Sequence, residues 1–356
     1  MSLPTEHARI TKSARKIIRF FAKKKESLSP LLILAHNFPD PDALASAYAL
    51  QYLAEHFYGV QSRIVYGGII GRMENRAMVS LLKMPIHKIR STDLKKYSNV
   101  AIVDSQPAFD NNPFPKQRRA TMVIDQHPSV TKPLADLAVI DSECGATSVI
   151  LAQCLLLHKL EIPVKVATAL AYGILSDTLN LYRSKNPEVI DTYLKILSCS
   201  DLQILAQIQN PTRSRRFFST LGKAIQTAMV TRDLIVGHLG NVENPDLVSQ
   251  IADFFLTYQG MKWSFCSGRY KGKLQVSLRI AKANQAAGEI LRDIFSDRGK
   301  AGGHDLIAGG SFKVGMNVDP SVWQRAEEEL TSKLLKRLRI SAKKEFKYPF
   351  RQKNFA

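Results

Sequence analysis

Short apolar runs broken by polar turns dominate the first half of the chain. Leu31–Ala35 is unbroken, LLILA, and reads as a strand buried on both faces of a parallel sheet. Gln61–Tyr66, Asn99–Val103, Thr121–Ile124 and Ala138–Ile140 repeat the pattern. Helical spacing fills the gaps. Asp40-Pro41-Asp42 opens the first of these helices, with an acid as cap, Pro at the first helical position and a second acid in the first turn. A glycine-rich loop, GGIIG, leads into a helix near Glu74, where Asn75 and Arg76 are candidates to face a site. CGATSVILAQCLLL reads as a helix, Ala167–Leu175 fits a buried helix or a strand equally, and Asn186–Ile208 is helical. The alternation predicts an α/β protein whose N-terminal domain is a parallel sheet with helices on both faces.

A break follows. Pro211 and its neighbouring arginines mark a linker over 209–224. Beyond it, Ala228–Gly240 suggests a hairpin or strand, Pro245–Tyr258 an amphipathic helix, and Met261–Tyr270 and Lys273–Ile280 two strands joined at Lys271-Gly272. Gln285–Phe295 reads as a helix and Gly310–Met316 as a last strand. The predicted layout is a basic amphipathic helix at 1–27, a larger α/β domain at 28–208, the linker at 209–224, a smaller α/β domain at 225–320, and a helix with a basic tail at 321–356. The first helix is expected to pack Ile10, Ile17, Ile18 and Phe21 on the domain, basic face outward.

The chemistry sits where apolar segments stop. His36, Asp40 and Asp42 follow the first strand, Asp104 a later one, and Asp125-Gln126-His127 the next; Asp177 ends the Ala167–Leu175 segment. Any one of these acids is explained by helix capping. Together, on the shared edge of a parallel sheet, they would repel one another, and a pair of divalent cations resolves the repulsion. Nitrogen and carboxylate donors suit Mn2+, Zn2+ or Fe2+ better than Ca2+. The glycines match neither GxGxxG nor a Walker A loop, so a dinucleotide or P-loop site is weakly supported.

Charge narrows the partners. A formal net charge of +19 over 356 residues favours polyanions: nucleic acid, nucleotides or an anionic membrane surface. Part of it is concentrated after Thr331, in a tail that is either solvated or a nucleic-acid contact. Cys144, Cys154, Cys199 and Cys266 form no CxxC pair and read as buried thiols of a cytoplasmic protein. No apolar run approaches the roughly 20 residues of a membrane span, and the N-terminal stretch lacks a signal core.

HNFPDPDALAS, AIVDS, IDQHP and GILSDT resemble, in order, the four signature motifs of the DHH phosphoesterase superfamily, over residues 31–180. That superfamily includes RecJ-type exonucleases, oligoribonuclease/pAp phosphatases, cyclic dinucleotide phosphodiesterases and family II pyrophosphatases. Val276-Ser277-Leu278-Arg279 and Ala301-Gly302-Gly303-His304 resemble the substrate-binding signatures of the DHH-associated C-terminal domain.

The resemblance implies two divalent ions, Mn2+ first and Mg2+ second, in an active-site cleft between the two domains. One ion would sit on His36, Asp40 and Asp104, the other on Asp42, Asp104 and Asp177. Water activated between them would attack phosphorus in line, His127 would polarise the phosphate or protonate the leaving oxygen, and Arg279, Gly302, Gly303 and His304 would hold the nucleotide. The expected substrates are short oligonucleotides, pAp-like nucleotides or cyclic dinucleotides, and a homodimer is among the admissible assemblies. One departure stands out: the family triplet is Asp-His-His, and Gln126 replaces the middle His, a metal ligand. A neutral amide oxygen is the weaker donor. Two other functions stay open: a nucleotide- or nucleic-acid-binding regulator on a weakened scaffold, and a pyrophosphatase.

Overall fold

A computed structural model describes residues 9–129, 131–159, 161–281, 286–296, 300–303, 306–340 and 346–351. The chain divides into two compact units, Met1–Pro211 and Thr212–Ala356.

In the first unit the elements run α1 (Arg9–Leu28), β1 (Leu31–Asn37), α2 (Pro41–Tyr52), β2 (Ser62–Gly67), α3 (Met73–Leu82), β3 (Ile86–Lys88), α4 (Asp93–Lys96), β4 (Asn99–Val103), β5 (Ala120–Asp125), β6 (Ala135–Ile140), α5 (Thr147–Leu157), α6 (Val164–Asp177), α7 (Pro187–Leu197) and α8 (Leu202–Gln209). The six strands are parallel and ordered β3-β2-β1-β4-β5-β6. Strand alternation explains the unbroken apolar run at the start. Leu31, Ile33 and Ala35 enter a core shared with α1, α2, α5 and α6, while Leu32 and Leu34 join Val65, Val100, Ile102 and Val123 on the other face. Cover on that second face is thinner: Phe114, with Leu94 of the short α4 and Tyr97.

α1 docks as its pattern predicts, with Ile10, Ala14, Ile17 and Phe21 fully buried. Its first turn is held from far along the chain. The Glu188 carboxylate accepts from Ile10 N at 3.0 Å, Thr11 N at 2.7 Å and Thr11 Oγ1 at 2.6 Å, capping amides that the helix itself leaves unpaired. Asp141 closes the same end, 3.0 Å from Arg9 and accepting from Ser13 Oγ at 3.1 Å, so this acid after β6 is structural.

Ala167–Leu175, whose pattern fits helix or strand, is helix α6, so Asp177 reaches the acidic cluster from a helix C-terminus. Two expectations change. Asn186–Ile208 is two helices, interrupted at Ser198–Asp201 where Asp201 caps the second. The linker is shorter than 209–224, because Arg215–Thr227 forms a helix, α9, capped by Ser214.

α6 lies close against α2. A Cβ on Gly173 would stand 2.8 Å from Ala45 Cβ and 3.2 Å from the Pro41 carbonyl oxygen. Gly173→Val is therefore expected to cost about 2–3 kcal/mol by overpacking. Chemical denaturation checks this, with an unchanged midpoint as the contrary result.

The second unit continues from α9 through β7 (Met229–Thr231), β8 (Leu234–Asn241), α10 (Asp246–Leu256), β9 (Trp263–Tyr270), β10 (Lys273–Ile280), α11 (Ala287–Phe295), β11 (Lys300–Gly303), β12 (Ile307–Lys313) and α12 (Pro320–Arg337). Its sheet order is β11-β12-β10-β9-β8-β7, antiparallel except for β8 with β9. Sequence periodicity misses β11, four residues with two glycines and little apolar signal. α11 and α12 cover one face of the sheet and α9 and α10 the other. No helix among the described residues is long and apolar enough to cross a membrane.

Candidate metal centre

β1 pairs with β2 on one side and β4 on the other, so the sheet order reverses between β1 and β4. In open α/β sheets the crevice at such a reversal, beyond the carboxyl ends of the strands, is where ligands bind. His36 stands near the end of β1, Asp104 directly follows β4, and Asp125, Gln126 and His127 end or follow β5. Asp104 has φ +53°, a left-handed turn that Asp tolerates better than most residues.

Two His/Asp groups form among the described residues, each with ligand atoms within 4.8 Å of one another: His36, Asp40 and Asp104; and Asp104, Asp125 and His127. Asp104 belongs to both. His36 Nδ1 lies 2.9 Å from the Asn37 carbonyl oxygen, so it donates there and directs Nε2 toward Asp40 Oδ1 at 3.7 Å and Asp104 Oδ2 at 3.6 Å. Asp40 also caps α2, accepting from Ala43 N at 2.9 Å.

Asp104 Oδ1 accepts from Thr147 Oγ1 at 2.8 Å, whereas Asp104 Oδ2 is buried with no hydrogen-bond partner. A buried carboxylate oxygen without a hydrogen bond is costly, and this one faces an imidazole nitrogen at 3.6 Å and a second carboxylate. This donor set fits a divalent cation of the Mn2+, Zn2+ or Fe2+ type. Electrostatics agree. Burial opposes a charge on His36, but Asp104 and Asp40 outweigh it and raise its pKa well above the ordinary value. Asp42 and Asp177 are pushed above the usual carboxylate range, first by burial and then by surrounding carboxylates, Asp104 and Asp40 among them.

Asp42 and Asp177 stand apart from both groups. Asp42 is fully buried, and its two oxygens accept from the first amides of α5, Thr147 N at 2.7 Å and Ser148 N at 2.8 Å. It therefore does bind a helix N-terminus, though that of α5 and not its own helix. The Gln126 amide nitrogen donates to Asp177 Oδ2 at 2.5 Å and lies 3.5 Å from Asp42 Oδ2. Gln126, expected as an oxygen ligand, has its side-chain N–H group between two carboxylates, the positive end of a dipole facing both.

Sequence reasoning missed Thr147 and Gln106 and left Asp125 without a role. Thr147 Oγ1 donates to Asp104 and accepts from the backbone N–H of Gln126, and a Thr at a helix start is the available signal. Gln106 Nε2 donates to Asp125 Oδ2 at 2.7 Å. Asp125 Oδ1 in turn holds His127 Nδ1 at 2.8 Å. That hydrogen bond outweighs burial and, with the charge of Asp104, lifts the His127 pKa from 6.5 to about 9. A raised folded-state pKa stabilises fully below the unfolded value and is lost as pH rises through the folded one. In chelator, melts from about pH 6 to 10 should show this fall through about pH 9, and His127→Gln should remove it. Equal slopes for the two proteins would refute the assignment.

Of the other expected residues, Asn75 is buried and its Nδ2 donates to the Pro39 carbonyl at 3.1 Å, steadying the turn before Asp40. Arg279 is 4% exposed, paired with Asp253 and donating to Ser277 Oγ at 2.7 Å. Gly302 lies in β11 opposite Gly309, with open space where a Cβ would be, and Gly303 ends the strand. His304 lies outside the described residues.

Family models match in two places: the DHH family, N-terminal domain, over residues 30–174, and the DHHA1 domain over residues 229–338. An uncharacterized protein of Methanocaldococcus jannaschii, MJ1633, is 33% identical over 85% of this chain and 62% of its own length. A probable manganese-dependent inorganic pyrophosphatase of Streptococcus pyogenes is 25% identical over 46% of this chain and 53% of its own. The chain thus spans between about half and three fifths of the curated relatives it matches. The crystal structure of an exopolyphosphatase-related protein from Bacteroides fragilis superposes with a TM-score of 0.71 at 16% identity, covering 94% of this chain and 99% of the other, a likeness of fold.

Proposed function

The chain belongs to the DHH family, and on that premise we propose that it is a divalent-metal-dependent phosphohydrolase acting on small nucleotides: short oligonucleotides, 3′,5′-bisphosphorylated nucleosides or cyclic dinucleotides. The observation that carries this reading is Asp104 Oδ2, buried without a hydrogen bond where two His/Asp groups meet. His36, Asp40 and Asp104 would hold the cation, with Mn2+ the first candidate. A bound divalent ion would acidify water and neutralise charge developing on the phosphoryl oxygens. Asp125 holds His127 at Nδ1 and favours its protonated form in the metal-free protein, so His127 is placed to give a proton to the leaving oxygen. In the second unit, Gly302, Gly303 and His304 are proposed substrate contacts; Arg279 would join them by exchanging Asp253 for phosphate.

The test is a panel of a diadenylate, adenosine 3′,5′-bisphosphate, a cyclic dinucleotide and inorganic pyrophosphate, assayed with Mn2+, Mg2+ and chelator. Chelator-sensitive release of mononucleotide or phosphate from a nucleotide is the expected result. Turnover of none of them with Mn2+ bound would overturn the proposal.

Gln126 favours a second reading, a nucleotide-binding regulator, because its amide already satisfies Asp177. Under the hydrolase reading, Gln126→His is expected to tighten a second ion at least about tenfold. Mn2+ titration of both forms decides, and equal stoichiometry and affinity would refute it.

A further inference from the structure

The loop that carries the candidate metal ligands also displays an aromatic ring that the chemistry above leaves unused. Phe38 lies two residues after His36 and two before Asp40, so its Cα is within about 7 Å of each of theirs. Its side chain is 64% exposed. Its backbone is left-handed, with φ +57°, an unfavourable conformation for a bulky residue. An exposed apolar ring on a strained backbone weakens the fold on both counts, and such features concentrate at functional sites.

The segment that carries the ring is held in place. Phe38 N donates to the Gly67 carbonyl at 3.0 Å, and Asn37 N to the Asn111 carbonyl at 2.6 Å. A Cβ on Gly68 would lie 2.8 Å from Phe38 Cε1 and 2.9 Å from Cδ1, so the ring rests on the Gly68 backbone. A Cβ on Gly67 would fall 1.7 Å from Asn37 Oδ1. The first two glycines of the GGIIG stretch thus have a purpose other than cradling phosphate: any side chain there would displace Asn37 and Phe38.

We infer that Phe38 is a stacking platform for a nucleobase of the substrate, which would make the site select nucleotides over phosphates that lack a base. The inference rests on the phosphohydrolase proposal and deepens it. A ligand matching this stretch must join an anionic group, for the cation site, to a flat apolar face, for the ring. A nucleotide does both, and stacking on an aromatic side chain tolerates any base.

The experiment measures kcat/KM for a diadenylate and for its abasic analogue in wild type, Phe38→Gly and Phe38→Trp. Glycine accepts the left-handed backbone and removes the ring, and thermal melts confirm folding. Wild type should prefer the diadenylate by about 10–100-fold, Phe38→Gly should reduce that preference to about threefold or less, and Phe38→Trp should retain it. Phe38→Gly lowering both rates in equal proportion would assign the ring a structural role and overturn the inference. Equal use of the two substrates by wild type would also overturn it, leaving the phosphohydrolase proposal standing. Hydrolysis of inorganic pyrophosphate but of no dinucleotide would sink the nucleotide proposal and the stacking with it.

Discussion

Asp104→Asn is expected to lower turnover by at least about a thousandfold, since stabilisation by a bound cation is worth several kcal/mol and each 1.4 kcal/mol is tenfold. The side chain is shared by both His/Asp groups, so its loss weakens either mode of cation binding. The same substitution should change the stability of the metal-free protein by no more than about 2 kcal/mol, because the lost attraction to His36 and His127 offsets the repulsion it removes. Asn keeps the shape and retains Oδ1 to accept from Thr147, while its new N–H group faces His36 Nε2, which can accept it only by giving up its own proton. Removing one negative charge also relieves Asp42 and Asp177. Mn2+ affinity therefore falls far while melting in chelator moves little, which a merely misfolded variant would not reproduce. A variant with full turnover, or one destabilised in chelator by several kcal/mol, would contradict the assignment.

His127→Gln is expected to reduce kcat about 10²–10⁴-fold, the range for loss of a positioned general acid. Because Asp125 and Asp104 keep the imidazole charged to about pH 9 in the metal-free protein, the wild-type ring carries its proton across the neutral range. The variant should retain Mn2+ binding at His36, Asp40 and Asp104, and lose the alkaline limb of the pH–rate profile. His127 also belongs to the second His/Asp group, which offers a direct contrast. If its main role is to ligate an ion, the substitution will lower Mn2+ stoichiometry instead, and excess metal will restore rate. Unchanged kcat would remove His127 from the reaction.

Prediction from local pattern worked best where the determinant was local. Asp40-Pro41 marks a helix start in any context, and the structure has Asp40 accepting from Ala43 N with Pro41 at the first position. β9 and β10 follow their alternation and turn at Lys271-Gly272, both left-handed, as a tight hairpin requires. Ala167–Leu175 fits helix and strand alike because a segment buried almost throughout has no polar face to reveal its period.

Sequence by itself determined that parallel strands end in acids and a histidine, because buried strands demand apolar runs and turns accept polar residues. Tertiary structure decided which of those acids meet. The strand order sets β1 beside β4, leaving one Asp104 oxygen without a hydrogen bond and seating Phe38 on Gly68, whereas Asp42 closes on α5, Asp177 on Gln126 and Arg279 on Asp253. Those partners lie from 26 to 105 residues apart in the chain for Arg279–Asp253 and Asp42–Thr147. Pairing over such distances depends on how whole elements pack, which no local window of sequence encodes.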